Sequence, residues 1–510
     1  MSDPLPPAPH RLGDYIEELD HRGLLLDVRG AVDKDSYITL VSYDSREVCP
    51  GTLFLCKGAH FTIDYLHEAV ERGAIAYVAQ EDHPSVTERY GDTFPRLIVS
   101  SIRPAIAWLG GVYYDREWDK LTIAGVTGTK GKSSTAYFLK YILDAWAWAD
   151  GRPESAILSS IHNDDGVTDE ESHLTTPEIL DLHRHFHNMV ASEIDHVTME
   201  VSSQGLKYDR LLGVNLKVGC FLNIGQDHIS PIEHPTHDDY LNSKLKIFRQ
   251  CETAVVNLHT AELDRVLEAA RQAPRMITFG RVPEADVYGH GITPNGRGLT
   301  FTAGVFGDEH DYEIAVPGIF NVDNALAAIA MSHCLGVPTE CVQEGLAKAH
   351  IDGRMEMYVM RRGATVIVDY AHNAMSFEAL FSSVAAEYPH SPVSIVFGCP
   401  GGKALDRRHD LGTIAGNRAD SVYLTEEDPG DEAVADICAE IEESVLRGER
   451  AEICRIIPDR EVAIREAMMR AHRNQVVLVT GKGRETRQKR GSLYVETPSD
   501  VDYVERYLNL

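Results

Sequence analysis

An apolar run, Leu121 to Val126, leads directly into Gly125-Val126-Thr127-Gly128-Thr129-Lys130-Gly131-Lys132-Ser133, and a helix-patterned stretch, Ser133 to Trp146, follows. No other segment limits the fold so tightly. A buried strand that feeds a glycine-rich turn and then a helix is the opening unit of a doubly wound, nucleotide-binding sheet. The segment ends in Gly-Lys-Ser like a Walker A loop, with its first glycine one residue early, at Gly125. The physics survives that shift. Gly128 and Gly131 let successive N–H groups turn toward a polyphosphate, and the following helix points its positive end at it. Lys132 then reaches the β- and γ-phosphates, and the hydroxyl of Ser133 or Ser134 faces Mg²⁺. A phosphate loop alone leaves the reaction open.

The chain has 510 residues, more than one core ordinarily holds. Short β-type runs precede the loop at Tyr37 to Val41, Thr52 to Leu55, Ala76 to Ala79 and Arg96 to Val99. Strand candidates His196 to Val201, Val218 to Asn223 and Ala254 to Asn257 follow it. Helical patterns separate them, which predicts a largely parallel sheet. After Gly353 the alternation restarts with Val366 to Asp369, Val393 to Phe397, Val422 to Thr425 and Val476 to Thr480, and with a helix over Asp431 to Leu446. The expectation is an α/β chain of three domains, 1–117, 118–352 and 353–510.

A formal net charge of −29 argues against general nucleic-acid binding, because a polyanion is repelled at long range. A local phosphate cradle remains compatible with it. No apolar run reaches the roughly 18 residues that suggest a membrane span. Met1 to Pro9 is Pro-rich rather than a basic stretch followed by an apolar one, so no secretory leader is expected. Nine cysteines are scattered singly from Cys49 to Cys454 with no CxxC pair, the pattern of reduced thiols in a cytoplasm.

Further motifs run in order along the chain. Tyr43-Asp44-Ser45-Arg46, Gly51-Thr52-Leu53-Phe54 and Lys57-Gly58-Ala59 come first, then Thr175-Thr176-Pro177, Met199-Glu200-Val201-Ser202-Ser203, Asn223 with Asp227-His228, and Tyr240 to Lys244. Phe320-Asn321-Val322-Asp323-Asn324, Gly353-Arg354-Met355-Glu356, Asp369-Tyr370-Ala371-His372-Asn373 and Gly481-Lys482-Gly483 complete the set. With a loop of the form GxxGTxGKS, this set resembles the Mur ligase family and its folylpolyglutamate synthetase relatives, over nearly the whole chain. The N-terminal motifs look like the uridine-binding domain of the MurE type.

The resemblance implies a central P-loop, parallel-sheet ATPase domain, a UDP-sugar-binding domain before it and a Rossmann-like, amino-acid-binding domain after it. It implies ATP as co-substrate, two Mg²⁺ ions and an acyl-phosphate intermediate, with Lys132, Glu200, His228 and Lys244 as the catalytic set. Glu200 ends a buried strand beside the loop, where a carboxylate can hold Mg²⁺ against a phosphate. By resemblance His228 ligates the second ion together with Lys244, whose carbamylation turns a cation into an anionic oxygen ligand. The family pattern Tyr-x-x-x-Lys selects Lys244 over the neighbouring Lys246.

The ATP set carried over is Gly125, Thr127, Gly128, Thr129, Lys130, Gly131, Lys132, Ser133, Ser134, Asn321, Asn324, Arg354 and His372. Asn321 and Asn324 share one face of a helical turn. For the sugar nucleotide the matching positions are Ser45, Thr175, Thr176, Ser202 and Arg210. Tyr208 stands where the family pattern has Gln. The implied partners are UDP-MurNAc-L-Ala-D-Glu, ATP and an amino acid, met by a monomer without nucleic acid or membrane insertion.

Which amino acid is added turns on residues 425–432. Diaminopimelate-adding members carry Asp-Asn-Pro-Arg, where Asn and Arg grip the second carboxylate. Here Glu427, Asp428, Pro429 and Gly430 stand instead, among Glu426, Asp431 and Glu432, and Lys403 replaces an upstream Arg. An acidic pocket suits an ε-ammonium and repels a second carboxylate. Gly481 and Glu485 match positions that contact the incoming amino acid. L-Lysine is therefore expected, with meso-diaminopimelate and L-ornithine as alternatives. A folate-directed ligase and a non-catalytic nucleotide-binding regulator are the rivals from other classes.

Overall fold

The computed structural model of the chain describes residues 6–58, 61–172, 174–225, 229–230, 233–295 and 298–509. The first sheet orders Leu25–Arg29, Arg96–Val99, Ala74–Ala79, Thr52–Leu55 and Leu40–Ser42 side by side, parallel except for the first pair. Side chains alternate across a strand. Leu53 and Leu55 therefore pack with the helices Leu12–His21 and Ile102–Tyr113, while Phe54 packs with Ile63–Arg72 on the other face.

Among the described residues the second sheet has eleven strands. In order they are Asp169–Glu171, His162–Asp164, Ala156–Leu158, His196–Glu200, Thr122–Thr127, Leu216–Phe221, Cys251–Asn257, Arg275–Gly280, Val287–Pro294, Leu299–Val305 and Asp308–Ile314. From Ala156–Leu158 to Val287–Pro294 the strands run parallel, as the strand–helix alternation predicts. Both edges are antiparallel. The outer hairpin turns on Phe306 and Gly307, with φ of 51° and 98°. Two positive-φ residues make the turn that fits the twist of paired strands.

The third sheet orders Glu356–Val359, Thr365–Asp369, Val476–Thr480, Val393–Phe397, Ser421–Leu424 and Ile453–Ile456, parallel after its first pair. The helix expected over Asp431 to Leu446 spans Val434–Val445, because the residues before it are used in a turn. One apolar cluster runs from Val126 and Phe138 of the second sheet's layer to Phe377 and Phe397 of the third. Among the described residues no helix is long and apolar enough to cross a membrane. None of the nine cysteines is in a disulfide.

These sheets place the site. The strand Thr122–Thr127 lies between His196–Glu200 and Leu216–Phe221, with Glu200 beside Val126 and Phe221 beside Thr127. Three parallel strands thus end together. Ligands of open α/β sheets bind at such carboxyl ends.

Candidate active site

The glycine loop joins Thr122–Thr127 to the helix Lys132–Asp150, whose N-cap, Gly131, has φ of 86°. A Cβ at Gly131 would run into Asn324 Oδ1, so this glycine is needed both for its backbone and for the side chain that approaches it. Asn324 is held in turn. Its Nδ2 donates to Asn321 Oδ1 at 3.0 Å, and Asn321 Nδ2 donates to Pro317 O at 2.6 Å. Asn223, just past the neighbouring strand, clamps the loop from the other side: Lys130 N donates to its Oδ1 at 2.9 Å and its Nδ2 donates to Lys130 O at 3.0 Å. Lys132 Nζ donates to Gly128 O at 3.0 Å.

An oxygen-rich group lies at the start of the same helix. Glu200 is 1% exposed, and its Oε1 accepts from Ser160 N at 2.9 Å and Ser160 Oγ at 3.1 Å. Ser133 Oγ is 3.2 Å from Ser160 Oγ. Lys244, on the helix His237–Leu245, is buried, donates to Gly128 O at 2.9 Å and lies over the Tyr240 ring at 4.7 Å. Tyr240 OH is 3.2 Å from Thr129 Oγ1. His228 lies outside the described residues.

Residues 353–373 reach the loop from the third sheet. Arg354 donates to Ser133 Oγ at 3.5 Å and to Gly353 O at 3.3 Å, and its guanidinium lies over the Tyr370 ring at 4.5 Å. His372 Nδ1 is 2.7 Å from Tyr370 O. Asp369 accepts from Met355 N at 2.9 Å and Ala371 N at 2.8 Å, which fixes the entry of Arg354. Burial raises its carboxyl above the usual range despite the nearby charges of Arg354 and Lys130.

The sugar-nucleotide positions are more heavily committed than their residue types suggest. Ser45 Oγ donates to Glu68 Oε2 at 2.7 Å. Thr176 Oγ1 donates to Glu200 O and accepts from Ser202 N, each at 2.9 Å, so it braces the turn after Glu200. Ser202 Oγ caps the helix Ser203–Lys207. Thr175 is half-buried beside them. Arg210 donates to Thr176 O at 2.8 Å and pairs with Glu178.

The acidic run is largely neutralised from within. Glu426 pairs with Arg490 at 2.8 Å, Asp428 with Lys482 at 3.0 Å and Glu432 with Arg408 at 2.7 Å. Lys482 also pairs with Glu485 at 2.7 Å, and Glu485 accepts from Tyr370 OH. Among the described residues Asp431 and Glu427 make no such pair; Asp431 is exposed, and Glu427 is buried. It is 8% exposed and packs so closely on Gly481 that a Cβ there would strike its carboxylate. Burial raises its carboxyl to about 7, against the charges of Arg460, Arg407 and Lys482. Pro429 is buried, Gly430 turns at φ of 59°, and Lys403 stands exposed on the adjoining loop.

Residues 126–332 match the Mur ligase middle domain, and residues 353–483 match the Mur ligase glutamate ligase domain. A protein of Enterococcus faecalis, UDP-N-acetylmuramoyl-L-alanyl-D-glutamate--L-lysine ligase, is 36% identical over 480 residues, covering 92% of each chain. The chain belongs to the Mur ligase family. Solved Mur ligases share its fold. A UDP-N-acetylmuramoyl-L-alanyl-D-glutamate--2,6-diaminopimelate ligase superposes with a TM-score of 0.67 at 21% identity, covering 98% of this chain and 99% of that one. The MurF ligase of Thermotoga maritima, solved with ADP, superposes with a TM-score of 0.58 at 19% identity, covering 86% and 93%.

In this Mur ligase the loop residues, Glu200, Lys244, Asn324 and Arg354 come together around one strand end. Glu427, Asp428, Gly481 and Glu485 gather beyond Tyr370, which touches both groups. Sequence reading left several residues without a role: Asn223 and Ser160, which position the loop and Glu200, and Lys482, Tyr370 and Glu178. Asn223 was the most accessible, because it directly follows a buried strand parallel to the loop strand. The others depend on pairings across long stretches of chain.

Proposed function

We propose that this Mur ligase adds L-lysine to UDP-N-acetylmuramoyl-L-alanyl-D-glutamate, with ATP cleaved to ADP and phosphate. The observation that carries the reading is the convergence of Lys132, Ser133, Glu200, Lys244 and Arg354 on the end of Thr122–Thr127. Residues 1–117 take the sugar nucleotide, 118–352 take ATP and 353–510 take the amino acid. A cytoplasmic monomer is part of the same reading.

The substrate carboxylate attacks the γ-phosphorus of ATP, forming an acyl phosphate and releasing ADP. The free amine of lysine then attacks the acyl carbon, and phosphate leaves. Lys132 Nζ, now on its own loop's carbonyl, exchanges that bond for the β- and γ-phosphates and spreads their developing charge. Arg354 brings a second cation to the loop from the third sheet, so that domain closure completes the site and excludes water from the acyl phosphate.

Ser133 and Glu200 offer hard oxygen donors that fit Mg²⁺. An unmodified Lys244 ammonium does not fit a cation site. Carbamylated, it would hold a second Mg²⁺ with His228, and the two ions would screen the transferring phosphoryl group. Lys244→Ala should then abolish ligation, with rescue by added short carboxylates; full activity without rescue would remove this assignment.

Lysine is favoured by the likeness to the Enterococcus faecalis ligase and by Glu427, a buried carboxyl available to an ε-ammonium. The test is phosphate release with Mg-ATP and UDP-MurNAc-L-Ala-D-Glu, adding L-lysine, meso-diaminopimelate or L-ornithine separately and weighing each product. Turnover with lysine alone supports the whole reading. Preference for another amino acid keeps the ligase and overturns the lysine pocket, and silence with all three overturns both.

A further inference from the structure

Between the first and second sheets, cations outnumber the carboxylate they face. Glu178 is the N-cap residue of the helix Ile179–Ala191, yet its side chain makes no cap hydrogen bond. The short side chains of Asp, Asn, Ser and Thr ordinarily accept from an amide of the first turn, and the longer Glu178 leaves that place open. It turns away and pairs with Lys57, which follows the strand Thr52–Leu55, and with Arg210. Arg103, on Ile102–Tyr113, adds a third positive charge that acts on Glu178, and its guanidinium lies over the Tyr208 ring at 4.1 Å. Tyr208, the departure from the family's Gln, is thus the platform for that arginine.

Arg210 and Lys57 are largely enclosed, Glu178 and Arg103 are half-buried, and the cluster is incompletely satisfied. Arg210 is 7% exposed, and its buried Nε has no hydrogen-bond partner among the described residues. Lys57 lies over the Tyr43 ring at 4.1 Å. Two further carboxylates act on Tyr43: Asp181, on the first turn of the helix, pairs with Arg184 at 3.5 Å, and Glu47 accepts from Ser42 Oγ at 3.0 Å, so the cations still exceed the acids by one. Burial pushes the Glu178 carboxyl up, but the hydrogen bond from Lys57 and the charges of Arg210, Lys57 and Arg103 more than offset it. Enclosed positive charge in excess of its counter-charge is unfavourable until an anion joins it. The chain as a whole is acidic, so the excess is local.

We propose that Glu178 is a placeholder, whose carboxylate occupies the seat that an anionic group of the nucleotide-linked substrate takes on Lys57 and Arg210. When that group arrives, Glu178 swings toward the N-terminus of its own helix, whose positive end favours a carboxylate and lowers the cost of displacing it. The inference rests on the sugar-nucleotide reading above. The incoming anion is the diphosphate or a carboxylate of the dipeptide; both present paired oxygens to a guanidinium.

A seat that is filled most of the time weakens apparent affinity by the fraction of time it is free. The test is calorimetric titration of the full chain, native, Glu178→Gln and Lys57→Met, with UDP, UDP-MurNAc and UDP-MurNAc-L-Ala-D-Glu. Glu178→Gln should bind about 5-fold or more tightly than native, and Lys57→Met more weakly, both from the same member of the series onward. A gain already present with UDP names the diphosphate, and a gain only with the dipeptide names its carboxylate. Equal or weaker binding by Glu178→Gln throughout overturns the placeholder and leaves a structural brace. Native enzyme that binds none of the three overturns the substrate reading itself, a result distinct from that one.

Discussion

The phosphate loop and the acidic segment 426–432 both present charge to a ligand, and they are built in opposite ways. The loop is local: nine consecutive residues supply the amides, the lysine and the hydroxyls, and neighbours such as Asn223 and Asn324 hold it in shape. The acidic segment is dispersed. Glu426, Asp428 and Glu432 are matched by Arg490, Lys482 and Arg408, residues 64, 54 and 24 positions away. Its composition therefore says little about the sign of the pocket. The carboxyl that burial leaves outside those ion pairs, Glu427, says more.

If that contrast holds, Lys132→Ala should have the largest effect. Losing a charge stabiliser of phosphoryl transfer should lower kcat by about 10²- to 10³-fold, with the circular dichroism spectrum unchanged. Near-native phosphate release from this variant would break the comparison at its stronger end.

Glu427→Gln comes next and acts on a different constant. Replacing the carboxylate that faces an ammonium should raise the KM for lysine about 10- to 100-fold, with little change in kcat. The pH dependence has a definite sign. The Glu427 carboxyl is raised to about 7 in the folded chain by burial, so the folded state binds more protons than the unfolded one at intermediate pH. The stability tied to that proton is full below the unfolded value near 4 and is lost as pH rises through 7. Glu427→Gln should therefore be more stable than native at pH 8, by up to about 3 kcal/mol, with the gap closing near pH 4. Lysine needs the ionised form, so the native KM should fall as pH rises through 7, and the variant should lack that slope.

The same contrast explains what could be read from sequence. Thr52 to Leu55, Val393 to Phe397 and Val476 to Thr480 were legible to the residue, because buried parallel strands announce themselves as short apolar runs. The hairpin at Phe306-Gly307 was not, because Phe is a poor marker for a positive-φ turn. In the site, Gly131 and Lys132 were legible from spacing. The bracing roles of Thr176 and Ser202 were not, since a hydroxyl that bonds backbone has the same sequence as one that meets substrate. Glu178 and Lys482 needed partners far along the chain before their charge had meaning.

A smaller effect is expected at Tyr370, which joins the two regions. Its hydroxyl donates to Glu485 while its ring lies beneath Arg354. Tyr370→Phe keeps the ring and removes the donor, so the KM for lysine should rise about 3- to 10-fold and the KM for ATP should stay level. A parallel rise in both would show that the hydroxyl positions Arg354 as well.

Glu426→Gln should do least, although Glu426 is the immediate neighbour of Glu427 and carries the same charge. Its carboxylate is held by Arg490, whose side chain is 54% exposed, and a pair with one partner in solvent contributes at most about 1 kcal/mol to stability. Lysine KM should therefore change by less than about 2-fold. If Glu426→Gln instead matched Glu427→Gln, the segment would act through its summed charge and the internal pairs would be incidental. Measured side by side, the two substitutions ask whether recognition resides in how many acids stand together or in the one that is buried.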